Sequence, residues 1–196
     1  ATRRRSHHRL CKTKSKPDLR REKEMNYGLV NKIDAISYAR AACDVLGGGK
    51  NPESTVALLV ETAAAETLLG DYKDPTPTSA GTGLTQVDQG TFEWLRDKYK
   101  GTALASRLLK EFGIDLSRTV YQELRTSPLM AMVFCRLRYM AVPTVIPATR
   151  EGRASYWKQY YNTVAGKGTP AEYLEKCQRC DVDALFAEER RIGAGG

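Results

Sequence analysis

Nowhere in this 196-residue chain do apolar residues run for the ~18 positions a membrane-crossing helix needs. No apolar stretch follows the basic start, so a secretory signal is not expected. Histidine is nearly absent, with only His7 and His8 side by side. The five cysteines (Cys11, Cys43, Cys135, Cys177, Cys180) are odd in number and scattered. That argues against a disulfide framework and for thiols made in a reducing cytoplasm. Cys177 and Cys180 have the spacing of a redox motif or of half a zinc site, but a ribbon needs a second pair and none is suitably placed. No metal or cofactor is expected. Alternating apolar and polar runs of strand length are missing too, and no internal repeat is visible, so the expected class is mainly α.

What is present is a globular composition, 41% hydrophobic and 28% charged, of a length that suits one domain with extensions. The formal net charge of +8 is unevenly spread: residues 1–25 hold ten Lys/Arg against three acids, +7 of the total. This arm has almost no large apolar residues and cannot fold alone. It reads as a solubilising tail, a contact for nucleic acid or another acidic surface, or a docking peptide that orders inside a larger assembly. It has no Arg-rich helix with interleaved aromatics, so base-specific readout is not expected. The expected organisation is a basic arm at 1–25, a domain at 26–180, and a C-terminal helix with a Gly-rich tail at 181–196.

Helical spacing of Leu29, Ile33, Ile36, Cys43 and Leu46 ends at Gly47-Gly48-Gly49. Asn51-Pro52 then opens a helix expected to end at Gly70. Residues 71–90 read as a long irregular segment with Pro75, Pro77, Gly81, Gly83 and Gly90, with room for a small hairpin. A loop that long in a compact domain is often functional. Further helices are expected over "TFEWLRDKY", "TALASRLLKEF" up to Gly113, "DLSRTVYQELR" and "SPLMAMVFCRLRYM". After a proline-rich connector come one opened by Thr149, one behind the Thr169–Glu172 capping box and one opened by Asp181.

Glu66 stands at the end of the second of these helices, on a face shared with Leu59, Thr62 and Ala63. A carboxyl over such small, apolar neighbours is partly desolvated, which raises its pKa toward neutrality and suits proton delivery to a leaving oxygen. Glu61 falls off that face and is expected to be solvated.

Glu66-Thr67-Leu68-Leu69-Gly70, followed by Gly81-Thr82-Gly83-Leu84-Thr85-Gln86-Val87-Asp88, resembles the lysozyme-like lytic transglycosylase and goose-type lysozyme families. Those carry Glu-Ser-x-x-Gly at a helix end and then Gly-x-Gly-Leu-Met-Gln, often with Val-Asp after it. Here Thr67 replaces Ser and Thr85 replaces Met. Tyr161-Asn162, with Gly166 and Gly168, looks like the family's Tyr-Asn-Ala-Gly-x-Gly with two extra residues before the glycines. The resemblance covers roughly 52–178, with 141–148 as an insertion. It implies a lysozyme-like domain that cleaves the MurNAc–GlcNAc β-1,4 bond of bacterial peptidoglycan. Glu66 would be the general acid and then the base. Gly83, Leu84, Thr85 and Gln86 would line the sugar cleft, Tyr161 would hold Glu66 or the muramyl ring, and Asn162 would support the loop. Trp157 and Tyr160 read equally as core packing.

Two chemistries share that scaffold. A hydrolase needs a second carboxylate to activate water, for which Asp88 stands in the goose-type position and Asp71 or Asp74 are further options. A lytic transglycosylase needs only Glu66, because the muramyl 6-hydroxyl attacks. The lean is to the second. The stretch from Tyr156 to Thr169 also looks like segments of phage virion muralytic proteins. Peptidoglycan lies outside the cytoplasm, so the expected setting is a virion tail or internal protein made in the host cytoplasm and acting in the host periplasm or cell wall. Its partners would be other virion proteins. An endolysin, or a silent structural protein on the same fold, are the alternatives.

Overall fold

The computed structural model describes residues 25–77 and 80–195; residues 1–24, with nearly all of the basic arm, lie outside them. The described chain is mainly α, with eight α-helices and no strand among those residues: α1 Asp34–Leu46, α2 Pro52–Thr67, α3 Gln89–Tyr99, α4 Ala103–Phe112, α5 Pro128–Met140, α6 Arg150–Trp157, α7 Pro170–Arg179 and α8 Val182–Ala194. None of them is long and apolar enough to cross a membrane. The expected hairpin is reduced to one bridge between Thr82 and Val87.

Local chemistry sets most of the boundaries. Asp88, Thr102, Ser127, Thr149 and Thr169 each accept a backbone N–H in the first turn of α3, α4, α5, α6 and α7. Thr169 and Glu172 close a reciprocal capping box. Asn51 precedes α2 as expected, but its side chain does not cap the helix. The helix expected over 115–125 forms only as a 3₁₀ turn, Tyr121–Arg125. Asp115 Oδ1 instead accepts from the Ser117 N–H (2.9 Å) and hydroxyl (2.6 Å), a local turn that competes with helix.

α5 is buried nearly all round and forms the axis of the core, with α1 against it and α2 against α1 and α7. Phe92 stacks on Phe134 (4.4 Å between ring centres), tying α3 to α5. α8 packs on α7 and α2, and Arg40 of α1 joins it to the body through Glu189 (2.6 Å). Cys43, Cys135, Cys177 and Cys180 are buried free thiols. Burial pushes Cys177 and Cys180 up, which disfavours the reactive thiolate.

The expectation that Glu61 is solvated is wrong. It is 0% exposed. Arg153 donates to it from Nε (2.7 Å) and Nη2 (2.8 Å), Arg150 from Nε (2.9 Å), and the Tyr173 hydroxyl at 2.7 Å. Helical periodicity shows which side of α2 Glu61 occupies, but not that α6 and α7 cover that side with donors. Replacing one member of a buried, hydrogen-bonded ion pair strands the other, at ~3–5 kcal/mol. Glu61→Gln should therefore destabilise the fold by about that much in urea unfolding. The double variant Glu61→Met/Arg153→Met should recover part of the loss. A single variant within ~1 kcal/mol of wild type would show that the pair carries no such cost.

Candidate functional site

α2 does not run to Gly70. It ends at Thr67, and Leu68 (φ 50°), Leu69 (φ 52°) and Gly70 (φ 84°) are all left-handed. Two consecutive leucines in that region are sterically costly and persist only where the surroundings impose them. Here the surroundings are specific. The Leu69 N–H donates to Ala63 O (3.2 Å), and Thr67 Oγ1 bonds both Ala63 O (3.0 Å) and Leu84 O (2.7 Å). The chain turns sharply after Thr67, one residue beyond Glu66, leaving the Glu66 carboxyl in the last turn of the helix.

That carboxyl opens on a cleft of about 460 Å³ lined by Asp74, Gln86, Asp88, Arg138, Tyr161 and Asn162, among others. Trp157 Nε1 donates to Glu66 Oε1 at 3.0 Å. Burial pushes the Glu66 pKa up to about 7, and the nearby Asp74 adds to it. The Trp157 hydrogen bond and the cations Lys176 and Arg138 oppose the rise without cancelling it. Lys176 is anchored on the Ala65 carbonyl (2.7 Å). Because an indole N–H can only donate, Oε1 must accept, and a proton on this carboxyl rides on Oε2.

The sequence-derived substrate residues divide. Gln86, Tyr161 and Asn162 line the cleft. Gly83, Leu84 and Thr85 do not: Leu84 and Thr85 have no exposed surface. They are structural supports of the cleft. Gly83 (φ 81°) lies against the 3₁₀ turn so closely that a Cβ would sit 2.4 Å from Leu124 O. The Thr85 hydroxyl donates to Ala131 O of α5 (3.1 Å), a bond that methionine at this position could not make. Gln86 (φ 50°) is held by its own amide on Gly83 O (2.9 Å).

Tyr161 lines the cleft without bonding Glu66. Its hydroxyl donates to Thr85 O (2.7 Å), and its ring lies 4.2 Å under the Arg138 guanidinium, which also donates to Tyr161 O (2.6 Å). The two extra residues before the glycines fall in a looped-out segment, with Thr163 at φ 65°, that follows a π-helical turn, Lys158–Asn162. Lys158 Nζ gathers that loop by bonding Asn162 Oδ1 (2.8 Å), Thr163 O (2.9 Å) and Gly166 O (2.8 Å). Gly166 and Gly168 then return against Asn162 and Trp157. A Cβ would come within 2.3 Å of Asn162 O at the first and 2.6 Å of the indole at the second.

Of the carboxylates offered as a second group, Asp88 lines the cleft, but both its oxygens are engaged by Thr91, from N–H (2.8 Å) and hydroxyl (2.6 Å), as the cap of α3. Asp74 lines the cleft and accepts from the Thr76 N–H (2.8 Å). Asp71 is paired with Lys32. Sequence reasoning did not single out Arg138 or Lys176, and left Trp157 as even odds for packing. Two arginines, Arg136 and Arg138, in the otherwise apolar "MAMVFCRLRYM" were the available signal.

The elevated pKa has a consequence for stability. The folded state holds the Glu66 proton up to about pH 7, whereas an ordinary carboxyl releases it near 4.5. The favourable contribution is therefore complete below about pH 4.5 and lost as pH rises through 7. Glu66→Gln, which stays neutral and can still accept from Trp157, should match wild type at pH 4.5. It should be the more stable protein at pH 8, by on the order of 1–3 kcal/mol. Parallel thermal melts across pH check this, and identical pH dependence in the two proteins would contradict the desolvation of Glu66.

Compared with protein-family models, with curated proteins and with solved structures, the chain matches none of them.

Proposed function

We propose that this protein has a lysozyme-like fold and cleaves the β-1,4 glycosidic bond between MurNAc and GlcNAc in peptidoglycan, with Glu66 as acid and then base. The observation that carries the reading is the Glu66 carboxyl at the head of a polar cleft, poised near neutrality by burial and held at one oxygen by Trp157. Glycoside cleavage requires such a proton-bearing carboxyl beside the leaving oxygen.

In this reading Oε2 gives its proton to the glycosidic oxygen as the bond to the muramyl C1 breaks. The resulting carboxylate is stabilised by the Trp157 N–H and by Arg138 and Lys176. It then takes the proton of the muramyl 6-hydroxyl as that oxygen bonds to C1, which closes a 1,6-anhydro ring. Asn162 and Gln86 present amides suited to acetamido groups. The binding of both Asp88 oxygens to Thr91 favours this intramolecular route over activation of water. Hydrolysis with Asp88 or Asp74 as the second carboxylate is the competing reading, supported by their place in the cleft. The resemblance to phage muralytic segments and the basic arm support a virion-associated role in wall penetration, with other virion proteins as partners.

Glu66→Gln should lower release of muropeptides from purified sacculi by at least ~100-fold, with the fold retained. Chromatography and mass spectrometry of the wild-type digest should show 1,6-anhydro ends; reducing ends would mean hydrolysis, and no release would remove the enzymatic reading. Asp88→Asn should keep most of the activity, since asparagine also caps helices well. A loss comparable to that of Glu66→Gln would instead make Asp88 a direct participant.

A further inference from the structure

Successive residues of an α-helix turn by ~100°, so Arg136 and Arg138 leave α5 on opposite sides. Arg138 lines the Glu66 cleft. Arg136 lines a second cavity, of about 320 Å³, between the 47–51 loop and the 141–148 connector. Arg136 is only 6% exposed. Its Nε donates to Gly47 O at 2.8 Å, and no carboxylate pairs with it among the described residues. No fully enclosed side-chain nitrogen or oxygen among those residues lacks a hydrogen-bond partner. The two terminal amino groups of Arg136, which have none, therefore reach the cavity. No aspartate or glutamate lines it, and its other cation is the exposed Lys50.

We infer that this cavity binds an oxyanion, carboxylate or phosphate, carried on a small molecule with an apolar body, and that the free edge of the Arg136 guanidinium grips it while Lys50 closes the rim. A nearly buried guanidinium without a counter-charge is expensive to keep. Its planar fork matches an oxyanion with two parallel hydrogen bonds, and an incoming anion supplies the missing charge. Polar Asn51, Thr55 and Thr144 share the remaining walls with apolar and aromatic side chains, chiefly Tyr139, Pro143, Val145 and Tyr156. The apolar and aromatic ones would be left uncovered by a bare ion, and the volume is that of a small-molecule site. The inference does not rest on the proposed cleavage reaction, since the cavity lies on the other side of α5 from Glu66.

The test uses the full chain with benzoate and phenyl phosphate as probes and benzyl alcohol as the neutral control, followed by thermal shift and by calorimetric titration. At least one anion should bind saturably below about 10 mM, and benzyl alcohol should not. The tighter of the two anions identifies the source as carboxylate or phosphate. Lys50→Glu, at an exposed position, should weaken binding ~5-fold or more. Arg136→Gln should weaken it at least ~10-fold. Should Arg136→Gln fail to fold, Arg136→Lys keeps the charge without the fork and should show the same loss. Glu66→Gln should bind the anion as wild type does. Absence of saturable binding, equal binding of benzyl alcohol, unchanged affinity in the Lys50 and Arg136 variants, or loss of affinity in Glu66→Gln would each overturn the site.

Discussion

A carboxyl group with no exposed surface is costly to bury unless other parts of the chain bring hydrogen-bond donors to it, and Glu61 sets that condition at the middle of α2. The donors come from α6 and α7, through Arg150, Arg153 and Tyr173. These bonds hold both helices against the same side of α2. The end of α6 carries Trp157, so fixing α6 at Glu61 also fixes the indole over Glu66, five residues further along α2. Arg150 extends the network outward to Asp183 at the start of α8 (2.8 Å). The geometry of the cleft thus depends on a charge pair that lies outside it.

The other wall of the cleft is fastened by hydroxyls. Thr67 binds the Leu84 carbonyl, Thr85 binds the Ala131 carbonyl, and Tyr161 binds the Thr85 carbonyl. These bonds join the end of α2, the 81–88 segment, α5 and the π-helical turn without any strand pairing beyond one bridge. They also accompany the left-handed pair Leu68–Leu69, which turns the chain that follows α2 away from the helix axis. Strain in the backbone at this point is offset by buried hydrogen bonds. Thr67 and Thr85 are both used as donors here.

Much of this was legible in the residues. Caps at Thr102, Ser127, Thr149 and Thr169 follow from side-chain chemistry within four residues, and sequence shows them directly. So does the small, apolar face under Glu66. Three features were not legible, for one shared reason. Burial of Glu61, bonding of Trp157 to Glu66 and the inward turn of Leu84 and Thr85 all depend on which distant segment lies opposite. Periodicity assigns a residue to a face of its own helix and is silent about the partner. The Asp115 turn is a different failure. There a short-range side-chain bond competed with an amphipathic pattern, and the local bond prevailed.

Glu61 and Glu66 share one helix and one residue type, yet their surroundings give them opposite uses. Two guanidiniums and a phenol donate to Glu61, so that both its oxygens are committed to bonds that hold α6 and α7 in place. Glu66 receives one neutral N–H, while its cations stand at the side, bonded to carbonyls of Ala65 and Tyr161. Desolvation there exceeds the compensation, so the proton is retained to about pH 7. A direct salt bridge to either cation would favour the ionised form and remove the proton at neutral pH. Anchoring Lys176 and Arg138 on backbone carbonyls keeps them near enough to stabilise the carboxylate after proton loss while leaving Oε2 unengaged before it. The arrangement separates the two demands of acid–base work at a single carboxyl: holding a proton near neutrality and tolerating its departure.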